Sequence, residues 1–194
     1  MQESKAIKIA VEEFNKIPLA SIAEKCNVSL IEDKIKIKYL NRWYLVSPRN
    51  ITCPQEKEPV SEKEKIIILH YLTSSNGTPL TDKLIDFREI PSGSMYYPSF
   101  QARVYQPFLA FFGENPSLFI KAGAVLDGKK VDLGDIAFKF TVLPGIPITF
   151  ILHKGDEEFP PAAKVLFDAS IKDCLPTEDI AIICEETVSE LKKF

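Results

Sequence analysis

Apolar residues along this chain keep a helical spacing, give way to strict alternation, and then switch between the two again. Over residues 4–16, Ala6, Ile9, Ala10 and Phe14 fall on one helical face, and Pro18 restarts a short second helix that runs to about Lys25. The spacing then shortens to two residues. Segments 28–31, 35–40 and 43–46 read as strands joined by turns at Glu32-Asp33 and Asn41-Arg42, an antiparallel meander. Residues 53–59, polar and bounded by Cys53-Pro54 and Pro59, read as an exposed connection too short to separate domains.

Ser61 and Glu64 have capping-box spacing: the hydroxyl accepts from the Glu64 amide while the carboxylate reaches back to the Ser61 amide. The helix they open runs through residues 66–72 and stops near Asn76-Gly77. Its aliphatic residues, Ile66, Ile67, Ile68, Leu69 and Leu72, cover every face, so the helix is expected to be enclosed. Residues 84–90 alternate as a strand ending at Pro91. A helix is predicted over about 97–112, with Pro98 in its first turn and a kink at Pro107, which has no amide to donate. Asn115 and Pro116 start another helix that Asp127-Gly128 closes. Strands follow at 136–143 and 146–153 about Pro144-Gly145, a third at 164–167, and a final helix from Thr177 carries Ile180, Cys184, Val188 and Leu191 as a stripe. The pattern predicts an α+β fold, a mainly antiparallel sheet with helices packed on it, in a single domain over residues 1–194.

Composition supports a packed core: 194 residues, 45% hydrophobic and 26% charged, with a net charge of -3. Eleven of the 13 Phe lie between Phe87 and Phe167, so the aromatic content is concentrated in the middle of the chain. No apolar run reaches membrane-spanning length, and residues 1–13 carry Glu and Lys at helical spacing instead of a basic flank before an apolar run. A soluble, unexported, cytoplasmic protein is expected. Cys26, Cys53, Cys174 and Cys184 have none of the spacings of a zinc or iron–sulfur site and read as reduced thiols. The one basic segment, Lys34-Ile35-Lys36-Ile37-Lys38, alternates, so its lysines form the wet face of a strand, and neither nucleic acid nor membrane is expected as a partner.

Three segments together resemble an uncharacterised prokaryotic family, common in anaerobes, known as domain of unknown function DUF3786. They are Leu69-His70-Tyr71-Leu72 followed by Gly77-Thr78-Pro79-Leu80; the FREIPSG run at 87–93 with Tyr97 and Phe100; and GDEEFP at 155–160 leading to Leu166-Phe167-Asp168 and to LPTED at 175–179. The resemblance covers essentially the whole chain. It implies no established activity, substrate or catalytic residue. Some members add a cysteine-rich iron–sulfur segment near the N-terminus, where this chain has Cys26 alone, so an electron-transfer role is not carried over.

Two constellations carry candidate chemistry. His70, with Tyr71 beside it, sits in the apolar helix, where a neutral imidazole can ligate a metal or be satisfied as a core residue. Arg88 offers a fork for a carboxylate or phosphate, and Tyr96, Tyr97 and Phe100 can wall a flat ligand; the alternative is an internal Arg88–carboxylate pair with the aromatics in the core. Together these residues suggest a ligand-binding or accessory domain for a planar, partly anionic cofactor such as a tetrapyrrole or corrinoid.

The second constellation is His153 with Asp156, Glu157 and Glu158. It could meet Asp168 across a hairpin and hold Mg, Mn or iron in a small metal-dependent enzyme, or it is a solvated acidic turn. A third reading is a protein-interaction module using exposed Phe or Tyr. The expected partner is thus a small-molecule ligand or a partner protein. Nucleophilic catalysis has little to build on: no GxSxG motif occurs, and His70 and His153 are the only imidazoles.

Overall fold

The structure, a computed structural model, describes residues 4–194; Met1, Gln2 and Glu3 of the charged N-terminal run lie outside the described residues. The fold is α+β, but the alternation that predicts one sheet builds two antiparallel ones. Backbone contacts divide the chain into two compact units. The first holds the chain up to Pro79 with Leu143–Gly145 and Asp173–Leu175; the second holds Leu80–Val142, Ile146–Lys172 and Pro176–Phe194.

In the first unit, α1 (Lys5–Asn15) starts at Ser4, whose hydroxyl accepts from the Ile7 amide at 3.4 Å. Its buried face is Ile7, Ala10 and Phe14, whereas Ile9, expected inside, is 47% exposed. The inward face is therefore centred on Ile7, and α1 packs it against α3 (Glu62–Ser74). After α2 (Leu19–Lys25), the strands β1 (Ser29–Ile31), β2 (Lys34–Tyr39), β3 (Arg42–Val46) and β4 (Ile51–Thr52) pair in that order. The meander is as expected, with β4 added; two residues are too few to alternate visibly. Ile37 pairs with Tyr44 and Ile35 with Val46, so these residues and Tyr39 form the buried face. Lys34, Lys36, Lys38 and Trp43 take the other.

The α3 capping box forms as expected, Glu64 N donating to Ser61 Oγ at 3.2 Å and Ser61 N to Glu64 Oε2 at 2.9 Å. The helix is not enclosed on every side, however. Ile67, Ile68, Leu69, Tyr71 and Leu72 are buried, but Ile66, His70 and Thr73, one row at i, i+4 and i+7, are half-buried.

The second unit's sheet has the order β5 (Leu84–Asp86), β9 (Ala162–Asp168), β8 (Ile146–His153), β7 (Ile136–Leu143), β6 (Lys129–Lys130). The strand expected over 84–90 stops at Asp86. There the Asp86 carboxylate accepts from the Arg88 amide at 3.0 Å and Glu89 accepts from the Asp86 amide at 2.7 Å, a capping box that bends Phe87–Glu89 into a 3-10 turn.

A continuous helical run follows: α4 (Gly93–Phe100), a π turn at Gln101–Tyr105, and α5 (Gln106–Phe112). It begins at Gly93 instead of Tyr97, which places Pro98 inside the helix. Gly93 is required there, because a Cβ would lie 1.9 Å from the Phe87 carbonyl oxygen. Pro107 cannot donate to Arg103, and the expected kink takes the form of the π turn, in which the Gln106 amide reaches back to the Gln101 carbonyl. Arg103 then ties this turn to α7 (Thr177–Leu191) through Glu178 at 2.6 Å and Glu185 at 2.7 Å. Between them runs α6 (Pro116–Val125).

Of the eleven Phe from Phe87 to Phe167, nine are buried; Phe111 is half-buried and Phe159 exposed. Phe108 touches Phe112, Phe119 and Phe150 with ring centroids 5.1, 4.9 and 5.7 Å away. Replacing Phe108 by Ala should cost about 3–5 kcal/mol of unfolding free energy, because so many rings close on it. The same change at Phe159 should cost less than about 0.5 kcal/mol. Urea melts of the two variants check the contrast.

Candidate functional site

The two groups of residues proposed to share a planar ligand fall in different units, His70 and Tyr71 in the first and Arg88, Tyr96, Tyr97 and Phe100 in the second. In the first unit, the Tyr71 hydroxyl donates to the Pro144 carbonyl at 2.7 Å, and burial holds its phenol well above the ordinary tyrosine range. Tyr71 is thus a packed residue with its polar tip satisfied. The carbonyl of half-buried His70 accepts from Thr73 Oγ1 at 3.1 Å.

In the second unit, Arg88 Nε donates to Asp86 Oδ1 at 3.0 Å, and the guanidinium lies 4.7 Å from the centre of the Tyr97 ring. Burial pushes the Asp86 carboxyl up, but the hydrogen bonds and charge of Arg88 outweigh it and leave the group below its ordinary value. This is the internal pair that the sequence offered as the alternative. Phe100 is buried and stacks on Phe87 at 4.0 Å, so it belongs to the core. Tyr96 remains exposed on α4, beside Met95.

The acidic segment 154–161 joins β8 to β9 and is shaped by its own side chains. Asp156 Oδ1 accepts from the amides of Glu158 at 2.9 Å and Phe159 at 2.8 Å, and the Asp156 amide donates to the Phe159 carbonyl at 2.9 Å. Those two amides hold the Asp156 carboxyl below its ordinary value. Lys154 N, donating to Asp135 Oδ2 at 2.9 Å, anchors the start of the loop. Asp156 therefore directs its acceptor to the backbone, while His153 pairs with Ala162 at the base of the loop.

Asp168 does not meet this group. In the β8–β9 ladder His153 opposes Ala162, whereas Asp168 pairs with Leu84 six residues along β9, about 20 Å away at strand rise. Among the described residues, no group of three or more His, Cys, Asp or Glu side chains is placed to hold a metal ion.

The same loop forms one wall of an open groove of about 650 Å³. Its other wall is the α5–α6 junction, with Gly113, Glu114 and Pro116. Its lining combines the carboxylates of Glu114, Asp156, Glu157 and Glu158 with Lys154 and with the apolar Phe159, Pro160, Pro161 and Pro116. Gly113 lets the walls meet, since a Cβ there would lie 3.0 Å from Pro161 Cγ and 2.6 Å from the Leu109 carbonyl oxygen. Asp156, Glu157 and Glu158 of this lining are expected from the sequence as candidate site residues, whereas Glu114 and Phe159 are brought to it only by the fold. The available signal was a Phe followed by two prolines in an acidic loop: prolines fix the backbone, and nothing beside that Phe in the sequence covers it.

A second, smaller cavity of about 160 Å³ lies in the first unit beside Arg42, Tyr44, Cys53 and Glu64. Three of its polar groups engage one another: the Tyr44 hydroxyl donates to Glu64 Oε1 at 2.6 Å, Arg42 lies 3.4 Å from the same oxygen, and Glu64 also completes the α3 capping box. All four cysteines are free and buried, and full burial drives the Cys184 thiol well above its ordinary value, away from the thiolate a nucleophile needs.

The fold is thus α+β, and an open groove with an acidic lining lies in its second unit. The family described as Domain of unknown function (DUF3786) matches residues 18–190, so the chain belongs to it, and the match spans both units. No curated protein matches the chain, and no solved structure does. Among the described residues, no helix is long and apolar enough to cross a membrane.

Asp168 has a structural role. Its Oδ1 accepts from the amide and hydroxyl of Thr81, both at 3.0 Å, and from the amide and hydroxyl of Ser170 at 2.9 and 2.7 Å. Burial would raise the carboxyl, but these four donors outweigh it and bring the pKa down to about 2. Because the folded value is depressed, its contribution to stability is complete above the ordinary 3.8 and is lost as pH falls towards 2. Asp168→Ala should destabilise the protein at neutral pH by at least about 1–3 kcal/mol, since buried donors lose their acceptor. The difference between the two proteins should shrink between pH 4 and pH 2, as thermal melts across that range will show.

Proposed function

We propose that this domain is a ligand-binding or accessory module and that its ligand occupies the groove between the 154–161 loop and the α5–α6 junction. The observation that carries the reading is the groove's lining, which holds four carboxylates and one lysine together with an exposed Phe and three prolines. Carboxylates that can converge on one concavity favour a cation, and a proline-stiffened apolar floor favours a ligand with an apolar body. The ligand class is therefore an organic cation, an amine carried on an aromatic or aliphatic frame. Phe159 supplies a ring face to the cation or to its apolar body. The loop's internal hydrogen bonds keep the groove formed in the absence of ligand, which lowers the ordering cost of binding.

Titrating the isotope-labelled protein with phenethylamine and following backbone amide signals tests this. The expected shifts cluster at Gly113–Glu114 and residues 154–159, and the Glu114→Gln/Glu157→Gln/Glu158→Gln variant should weaken the response at least about tenfold, three negative charges being removed from the site. Shifts distributed elsewhere, or a response indifferent to those charges, would sink the reading. Mn²⁺ in a parallel titration examines the metal alternative through broadening of the His153 and Asp156–Glu158 signals. Visible spectra with haemin and with cobalamin, compared between the protein and its His70→Ala variant, examine the tetrapyrrole or corrinoid class.

A further inference from the structure

The first unit presents a second surface, independent of the groove. In the β1–β4 sheet, alternation places Ile35, Ile37, Tyr39, Tyr44 and Val46 inside. The opposite face is set by the ladder: Ile31 opposes Lys34, Ser29 opposes Lys36, Lys36 opposes Leu45, Lys38 opposes Trp43, and Leu45 opposes Thr52. That face therefore carries three lysines, a tryptophan, two aliphatics and two hydroxyls, and no strand position on it holds Asp or Glu. Trp43 is 42% exposed and Ile31 47% exposed, and the Lys36 ammonium lies 4.7 Å from the centre of the Trp43 ring. A cationic, aromatic face of this kind stands out on a chain whose net charge is -3.

We propose that this face docks an acidic, extended segment of a partner protein, with Trp43 as the apolar anchor and Lys34 and Lys36 as the charge contacts. The match is geometric as well as electrostatic. Alternate residues on β2 repeat at about 6.8 Å, the repeat at which an extended peptide with Asp or Glu at every second position presents its carboxylates. Tryptophan is among the residues in which the binding energy of protein interfaces concentrates. Single-stranded nucleic acid is disfavoured because the Lys36 ammonium already occupies a face of the indole that a base would stack on. A lipid surface is disfavoured because Trp43 and Ile31 offer little apolar area to insert.

Trp43 is the protein's single tryptophan, so emission excited at the red edge, where tyrosine does not absorb, reports this face alone. The full chain is titrated with decaglutamate, with oligothymidylate of matched charge, and with phosphatidylserine vesicles, while emission is recorded. The expected result is a saturable change with decaglutamate whose half-saturation rises at least about tenfold in Lys34→Glu/Lys36→Glu and also at about 0.5 M salt. Lys34→Gln/Lys36→Gln provides the same comparison should charge reversal disturb folding, which circular dichroism of each variant checks. The triple Gln variant of the groove should respond as the unaltered protein does, which separates this surface from the proposed ligand site. No saturable change with decaglutamate, a change insensitive to the lysine substitutions, or tighter binding of the oligonucleotide or the vesicles would each overturn the proposal.

Discussion

Phe100 stacks face to face on Phe87 with ring centroids 4.0 Å apart, and the arrangement of the second unit depends on that contact. Tyr105 meets Phe100 edge-on at 5.3 Å, and Phe167 of β9 closes on both rings. For the two rings to stack, the helix bearing Phe100 must run close beside the turn bearing Phe87. That is why position 93 tolerates no side chain: the backbone of α4 lies against the Phe87 carbonyl. The Asp86–Glu89 capping box serves the same end by stopping β5 after three residues and turning Phe87 inward. The π turn then carries Tyr105 to the β9 edge, where its hydroxyl accepts from the Val165 amide at 3.3 Å. Aromatic packing, a cap and a proline-induced widening of the helix are thus one solution to one packing problem.

The groove is a by-product of the same core. The end of α5 is held by Phe108 and Phe112, so Gly113 and Glu114 emerge at a fixed place, and Pro116 begins α6 immediately afterwards. Opposite them, Asp156 organises its own loop by accepting two amides, and Pro160 and Pro161 carry the chain stiffly into β9. Charge and apolar surface therefore stand together on rigid backbone without any carboxylate being buried.

Some of this was readable from residues alone. The Ser61–Glu64 capping box, the β2–β3 alternation and the stripe of the last helix follow from local rules in which each residue's neighbours in sequence are its neighbours in space. The same locality explains the errors. Residues 84–90 alternate as a strand should, but Asp86 and Glu89 offer the backbone a competing set of hydrogen bonds, and the competition is settled by where Phe87 must point. Ile9 and Ile7 both suit a helix face, and only the position of α3 selects Ile7. Arg88 suits a ligand or an internal partner equally by type, and only the fold sets it against Asp86 and Tyr97.

By itself, the sequence determined the α+β class, the antiparallel meander, the concentration of Phe between Phe87 and Phe167, and the acidic character of the 154–161 loop. Each of these is a property of composition or of spacing along the chain. Tertiary structure alone decided that there are two sheets, that Phe100 is core while Phe159 is surface, that Asp168 is bound by Thr81 and Ser170 at the far end of β9 from the acidic loop, and that Glu114 lines the same groove as that loop. The physical reason is common to all four. Whether a side chain packs, caps or faces solvent depends on residues tens of positions away, and periodicity carries no information about which of them will arrive.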